Sequence, residues 1–535
     1  LRVKSVTFCE EDTLRRRDFI RKGALAGALP ALALGGGKQD VPAHNWDGFD
    51  FGPPPAVPDR LNQGPFGIEQ DQGWYTIDLT SPSREPVRNW GLGLVGYTWE
   101  ENGPALSVRQ GTSRLENEVE RLASLPFVDV LYMRCDWRDV QSRPGRLDLS
   151  PVWGLTLDAA RRHGLRVAFR VQMSNPEIQP ARVALPDFLR EKVPLVKIGR
   201  IRARQDLEVV EPQYHHPEFQ RAFRELTELL ADKFDSNPLV EFADLMMYGF
   251  WGEGHTSNLP HPFPDALTAQ RTSVEMTRYQ MQTWKRVPLT VNTQPDISNV
   301  GNHQVQDLAV RGGCWLRSDS IVLEEPIQIE ALSGRPPWLA VVMEDGTYRH
   351  FKTDSEDFTV DAAGVNVIEK AMLHAIDVRA NYWALWTEVD NLARYHERYP
   401  DGLTTLQRRL GYRVRPSWIW QRKRYDTAEL IVAFANDGVA AVPGVLRAYV
   451  ESRDGKVRVG GGLDAGHPRG GGLRQASFLL PPGMDGQVVS LRGEIEGPGG
   501  VRRPLRWASA QPTNGDGSLT LHLKRHDDTG WRKGI

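Results

Sequence analysis

Between residues 90 and 410 short apolar runs alternate with stretches of helical periodicity, and this alternation restricts the possible folds more than any other feature. The runs cover residues 91–97, 128–135, 166–173, 240–248, 288–293, 314–321, 338–343 and 381–386, eight in all. Between them Leu115, Val119 and Leu122 recur at three- and four-residue spacing. So do Phe219, Phe223, Leu226 and Leu230, and again Val365, Ile368, Met372 and Ile376. Strands that are apolar almost throughout are buried on both faces, as in a parallel sheet covered by helices. Eight strand–helix units predict an α/β fold, a (β/α)8 TIM barrel over residues 89–410, with an open doubly wound sheet as the alternative.

Beyond residue 410 the helical signal fades and short strands are predicted at 429–435, 445–451, 475–480, 488–495 and 518–523. Glycine-rich turns at 460–462 and 470–472 separate them, so residues 411–535 are expected to form a C-terminal β-sandwich. Its simpler role is packing against the barrel, and its sharper one is binding carbohydrate. Residues 38–88, rich in Pro, Gly and Asp, read as a linker and irregular cap. At the other end, Arg16-Arg17-Asp18-Phe19 precedes an apolar stretch from Ala24 to Leu34. That stretch covers about half of the roughly 20 residues needed to cross a bilayer. Residues 1–37 are therefore expected to be a twin-arginine export signal, which sends the rest to the periplasm or the medium without a membrane span.

Charge and cysteine content narrow the function. Sixty-six Lys and Arg against 68 Asp and Glu, with no long basic block, argue against a nucleic-acid partner. Cys9, Cys135 and Cys314 match no zinc spacing, and the last two lie on well-separated predicted strands, where buried free thiols are expected. The glycines of Gly91-Leu-Gly93-Leu-Val-Gly96 match a dinucleotide fingerprint but lie inside the first predicted strand instead of opening a helix. Gly35-Gly-Gly-Lys38 lacks the Ser or Thr of a P-loop, and His215-His216 before Pro217 reads as a helix entry. No cofactor and no metal are expected.

Catalytic groups of a barrel project from the C-terminal ends of its strands. Those ends carry Arg134, Asp136 and Trp137 on the second strand and Asn175 on the third. The fourth is followed by Tyr248, Trp251, Glu253 and His255. Asn292, Asp319, Glu344 and Trp386 follow the fifth to eighth. Glu253 and Glu344 face each other across an eight-stranded barrel, which is what a glycosidase requires. One carboxyl protonates the leaving oxygen while the other attacks or stabilises the anomeric carbon. The remaining residues suit a sugar, with aromatic faces under its C–H surfaces and amides or carboxylates on its hydroxyls. Arg134 and Asp136 have a second reading as a structural ion pair at the barrel mouth.

Three segments carry a resemblance. Leu131-Tyr-Met-Arg-Cys-Asp-Trp137, Gly145-Arg-Leu-Asp148 and Asp158-Ala-Ala-Arg-Arg-His-Gly-Leu165 resemble the start of a clan-A glycoside hydrolase barrel, in the order seen in family 42 β-galactosidases. Tyr248-Gly-Phe-Trp-Gly-Glu-Gly-His255 is similar to a stretch of uncharacterised barrel proteins that carry a C-terminal β-domain. The resemblance spans roughly residues 90–390 and implies a retaining hydrolase of an oligo- or polysaccharide. Glu253 would be its acid/base and Glu344 its nucleophile, with Arg134 and Trp386 as further site residues. One departure stands out: the clan places an Asn that binds the sugar 2-hydroxyl just before the acid/base, and here that position is Gly252. The departure leaves a non-catalytic glycan-binding barrel of the cell envelope as the rival reading.

Overall fold

The structure, a computed structural model, describes residues 65, 73–176, 182–201, 207–294, 296, 299–319, 321, 324–345, 367–424 and 426–525. Residues 1–37, expected to be an export signal, most of the expected cap and Val365 lie outside the described residues. Eight parallel strands close into a barrel: β1 (Gly93–Trp99), β2 (Val128–Asp136), β3 (Arg166–Gln172), β4 (Val240–Asp244), β5 (Leu289–Asn292), β6 (Trp315–Ser318), β7 (Val341–Glu344) and β8 (Tyr382–Leu385). The closing pair aligns Tyr382 with Gly93 and Leu385 with Gly96. A helix follows each strand: α1 (Leu115–Ala123), α2 (Pro151–His163), α3 (Pro217–Phe234), α4 (Ala266–Thr283), α5 (Asn302–Arg311), α6 (Pro326–Ser333), α7 (Val367–Asp377) and α8 (Val389–Arg398). Proline opens α2, α3 and α6, where the missing N–H would have no partner within the helix. His216 caps α3 by accepting the Glu218 N–H, so the histidine pair is indeed a helix entry.

The predicted and observed barrel strands agree to within a few residues, with one informative exception. The fourth apolar run continues to Tyr248, yet β4 stops at Asp244. Beyond it the Gln280 side chain replaces a strand partner, accepting the Met246 N–H at 2.8 Å and donating to the Met246 carbonyl at 3.2 Å. The backbone is thereby released to form the irregular loop that carries Glu253.

Two antiparallel sheets follow the barrel. Val414–Arg424 and Thr427–Asn436 pair in one, with Leu473–Leu479 on the far side. Val445–Ser452, Arg458–Gly462, Val488–Glu496, Arg502–Leu505 and Leu519–His522 form the other. The Phe434 and Trp507 rings stack at 5.5 Å in the interior between the sheets. The first sheet gains an edge strand, Trp74–Leu79, from a segment the sequence reads as irregular cap. Its partner is Val414–Arg424, so no local hairpin pattern announces it.

Trp90, Leu92, Phe242, Trp315 and Tyr382 share one buried cluster with Tyr412, Val432, Leu446 and Leu491. The sandwich therefore seals the N-terminal end of the barrel, opposite the strand ends that carry the candidate site. Cys135 and Cys314 are buried free thiols, and burial pushes Cys314 up to about 12. Among the described residues no helix is long and apolar enough to cross a membrane.

Candidate functional site

The barrel interior is built by the two-residue period of its strands. On β2, Leu131, Met133 and Cys135 face the helices, while Tyr132 joins the inner aromatic floor with Phe242, Trp315 and Tyr382. Above that floor the inward positions are charged. Three guanidinium groups, Arg134, Arg170 and Arg317, meet four carboxylates, Glu101, Asp244, Glu253 and Glu344. Burying a charge is tolerable only when it is paired and hydrogen-bonded, and these groups are nearly all enclosed together.

Arg134 is the hub. Its Nη2 donates to both oxygens of Glu344 at 2.7 and 2.8 Å, and its Nη1 donates to Glu101 Oε2 at 3.0 Å. The same Nη1 lies 3.7 Å from Glu253 Oε1. One planar fork thus bridges the two carboxylates expected to do the chemistry. Arg317 Nη2 also donates to Glu344, and Arg170 Nη1 donates to Glu253 Oε1 at 2.8 Å. Asp244 ties Arg170 to Arg317 and accepts the Tyr132 hydroxyl at 2.6 Å. Burial opposes the charge on Arg134, but Glu344 and Glu101 outweigh it and hold the guanidinium well above its ordinary pKa. Burial likewise opposes ionisation of Asp244, and there Arg317 and Arg170 prevail, keeping it below its usual value.

Glu253 is presented by a loop whose backbone leaves little freedom. Gly249 has φ 82° and ψ −169°, a combination only glycine adopts readily, and a Cβ there would lie 2.1 Å from the His255 carbonyl oxygen. The loop closes on itself through Phe250 N–H to His255 O at 2.7 Å and Gly254 N–H to Tyr248 O at 3.0 Å. Asn292 and Asn302 then hold it from outside, donating to the carbonyls of Glu253 at 2.9 Å and Gly254 at 2.8 Å.

A buried carboxyl stands behind this loop. The Gly249 N–H donates to the Tyr214 hydroxyl at 2.9 Å, and that hydroxyl donates to Glu211 at 2.6 Å. Burial raises Glu211 to about 7, against the opposing hydrogen bonds from Ser174 and Tyr214. Its folded pKa exceeds the unfolded one, so the folded state binds the extra proton and stability falls as pH rises from about 4.5 to about 7. Glu211→Gln is expected to remove that slope and to be more stable than the parent above pH 7, by at most about 3 kcal/mol. Urea unfolding of both proteins across this range checks it, and parallel curves would refute the assignment.

Glu253, His255 and Asp319 bring one potential ligand atom each within 4.8 Å of one another. The donor set does not fit a metal. His255 Nδ1 accepts the Ser257 N–H at 3.0 Å, which leaves the ring proton on Nε2, 3.4 Å from Glu253 Oε2. A metal at Nε2 would require a ring with no proton on either nitrogen, whereas ligating histidines usually donate from the other nitrogen.

The structure brings Arg134, Glu253, His255, Asn292, Asp319 and Glu344 together at the strand ends. Asp136 does not pair with Arg134. It accepts from Gln172 at 2.8 Å and Asn175 at 3.0 Å, and Asn175 also donates to the Glu101 carbonyl. The four aromatic residues expected to contact substrate are all buried. Trp137 lies edge-on to Phe219 and donates to Gln141, so it fills the layer between barrel and helices. Tyr248 packs against Tyr214 and Phe263 in that same layer. Trp251 is clamped with Phe250 beneath Ile198, Ile201 and Val209 of the hairpin Leu195–Ile201/Leu207–Pro212. Trp386 is buried just past β8. All four are more than nine-tenths buried, as large rings commonly are in a close-packed interior.

Sequence reading missed Tyr97, Glu101, Arg170, Gln172, Asp244 and Arg317. The available signal was a charge or amide at every second position of an otherwise apolar run, as in Arg170 and Gln172 of β3.

No protein-family model matches the chain, and no curated protein matches it. Among solved structures, the catalytic domain of a β-amylase from Paenibacillus polymyxa aligns at 10% identity and TM-score 0.36, covering 56% of this chain and 92% of that one. Endo-glycoceramidase II from Rhodococcus sp. aligns at 15% identity and TM-score 0.34, covering 73% and 97%. A cold-adapted β-galactosidase from Rahnella sp. R3 aligns at 13% identity and TM-score 0.36, covering 56% and 52%. Likeness this remote carries no argument about activity.

Proposed function

We propose that this protein is an exported glycoside hydrolase that cleaves O-glycosidic bonds of an oligo- or polysaccharide by a two-carboxylate, retaining mechanism. The observation that carries the reading is the single Arg134 fork shared by Glu344 and Glu253. In the first step the Glu344 carboxylate attacks the anomeric carbon as the bond to the leaving oxygen breaks, and Glu253 gives that oxygen its proton. In the second, Glu253 takes a proton from the incoming water, whose oxygen displaces Glu344 from the anomeric carbon. Arg134 and Arg317 favour the ionised form that Glu344 needs as a nucleophile.

A second reading, a glycan-binding barrel without hydrolysis, draws support from Gly252 and from the engagement of Glu253 by Arg170 and His255. One experiment separates the two. The full chain is expressed in a bacterium with a twin-arginine pathway, and cell fractions are tested on aryl glycosides and polysaccharides. Hydrolysis is expected in the exported fraction, with the first-formed sugar retaining its anomeric configuration. Replacing Arg16 and Arg17 by Lys is expected to trap the activity inside the cell. Binding of glycans with no turnover would favour the second reading.

A further inference from the structure

We infer that the strand Leu473–Leu479 is a dimer interface, through which two copies of this chain join their sandwiches by antiparallel pairing centred on Ala476. The inference is independent of the glycosidase reading.

The strand ends its sheet and has a strand neighbour on one side, Thr427–Asn436. The ladder shows which of its backbone groups face outward. Leu480 N–H donates to Ala428 O at 2.9 Å, and Asn436 N–H donates to Gly472 O at 3.0 Å. The register is unbroken between those points, so the even-numbered residues bond inward. The N–H and C=O groups of Leu473, Gln475, Ser477 and Leu479 therefore point away from the sheet, and among the described residues none bonds to them. Natural edges are usually blunted by a bulge, a proline or a charge. This one has neither bulge nor proline, and its Arg474 is turned toward Asp464 at 3.9 Å. Leu473 and Leu479 are 52% and 53% exposed. Beside the edge the facing sheet ends in Gly460, Gly461 and Gly462, which carry no side chain to overhang it; a Cβ on Gly461 would lie 3.4 Å from the Phe478 ring.

The symmetry of the strand identifies its occupant as a second copy. In a two-fold arrangement about Ala476, Leu473 faces the partner's Leu479 and Gln475 faces the partner's Ser477. All of these are outward-bonding residues, so each opposed pair exchanges two hydrogen bonds. The same register sets exposed leucine against exposed leucine on one face, with amide against hydroxyl between them. Ala476 meets itself at the closely spaced centre, where a small side chain is needed. A shift by one residue would oppose outward groups to inward ones. A shift by two would leave one leucine of each copy uncovered. Pro481 and Pro482 follow the strand and end the pairing. The contact is isologous and consumes the edge that forms it, so the assembly closes at two copies.

One strand a side is a small contact, so a reversible dimer with Kd of about 10 μM is expected. Sedimentation equilibrium of the full chain between about 1 and 100 μM is expected to show the mass rising from monomer toward dimer. Gln475→Pro removes an outward N–H and leaves the inward ladder intact, so it is expected to weaken the dimer by at least about thirtyfold. Paired charges read the register. Leu473→Lys with Leu479→Lys opposes like charges, and Leu473→Lys with Leu479→Glu opposes unlike ones at the same places. The second protein is expected to dimerise at least about tenfold more tightly than the first at low salt. Both leucines are exposed, so this comparison decides the matter even where Gln475→Pro does not fold. A parent protein that stays monomeric across the range would overturn the inference. A dimer that Gln475→Pro leaves unchanged would overturn it too, since its interface would lie elsewhere. Equal affinities of the two charge variants would overturn the register centred on Ala476.

Discussion

Glu344→Gln is expected to lower turnover on an aryl glycoside by roughly a thousandfold or more, because an amide can neither attack the anomeric carbon nor leave from it. The substitution also has a structural consequence. Glu344 accepts hydrogen bonds from Arg134 and Arg317 in a fully buried setting, and removing its charge leaves both guanidinium groups short of a counterion. Breaking a buried pair in this way costs about 3–5 kcal/mol. A fall in activity alone would therefore be ambiguous. Glu344→Asp resolves it, since the shorter side chain keeps the negative charge but withdraws the carboxylate by about 1 Å. It is expected to unfold in urea nearer the parent midpoint and still lose on the order of a hundredfold in turnover. Unchanged turnover in a folded Glu344→Gln protein would sink the nucleophile assignment.

Arg134→Leu is expected to produce the largest loss of stability of any single substitution at the site. The leucine fills part of the space but takes one guanidinium partner away from each of Glu101, Glu344 and Glu253. The expected destabilisation at neutral pH is about 3–5 kcal/mol, read as a lower urea midpoint with little change in slope. The sign of its pH dependence follows from the same picture. Acidification protonates the stranded carboxylates and removes the cost of burying them, so the gap between variant and parent should narrow as pH falls. Arg134→Lys is not expected to rescue, because a single ammonium cannot present the two edges of the fork. A variant as stable as the parent would show that Arg134 contributes no net pairing energy, and the shared-fork reading would then lose its support.

The barrel was legible because each of its strands is a local run with its own helix beside it. Residues 128–135 and 166–173 announce themselves by composition, and the observed β2 and β3 differ from them by a single residue at one end. The edge strand Trp74–Leu79 was not legible, since its partner Val414–Arg424 lies more than three hundred residues away in the chain. Glu253 and Glu344 could be nominated from their positions after β4 and β7, which is a property of topology and so of the strand count. Asp136 and Arg134, both at the end of the second predicted strand, read as a possible ion pair at the barrel mouth. The structure gives Asp136 to Gln172 and Asn175 instead, because alternation and strand tilt decide which inward groups meet.

By itself the sequence determined the number and order of the strands, their parallel burial, the trailing β-rich region and the two carboxylates at opposite strand ends. These follow from patterns of a few residues, in which hydrophobic period and turn chemistry act locally. Tertiary structure alone decided that one guanidinium serves both carboxylates, and that three arginines and four acids share one enclosed layer. It also decided that Trp137 and Trp251 pack against neighbouring aromatic and aliphatic side chains. Buried electrostatics depends on distances between groups far apart in the chain, and those distances exist only once the barrel has closed.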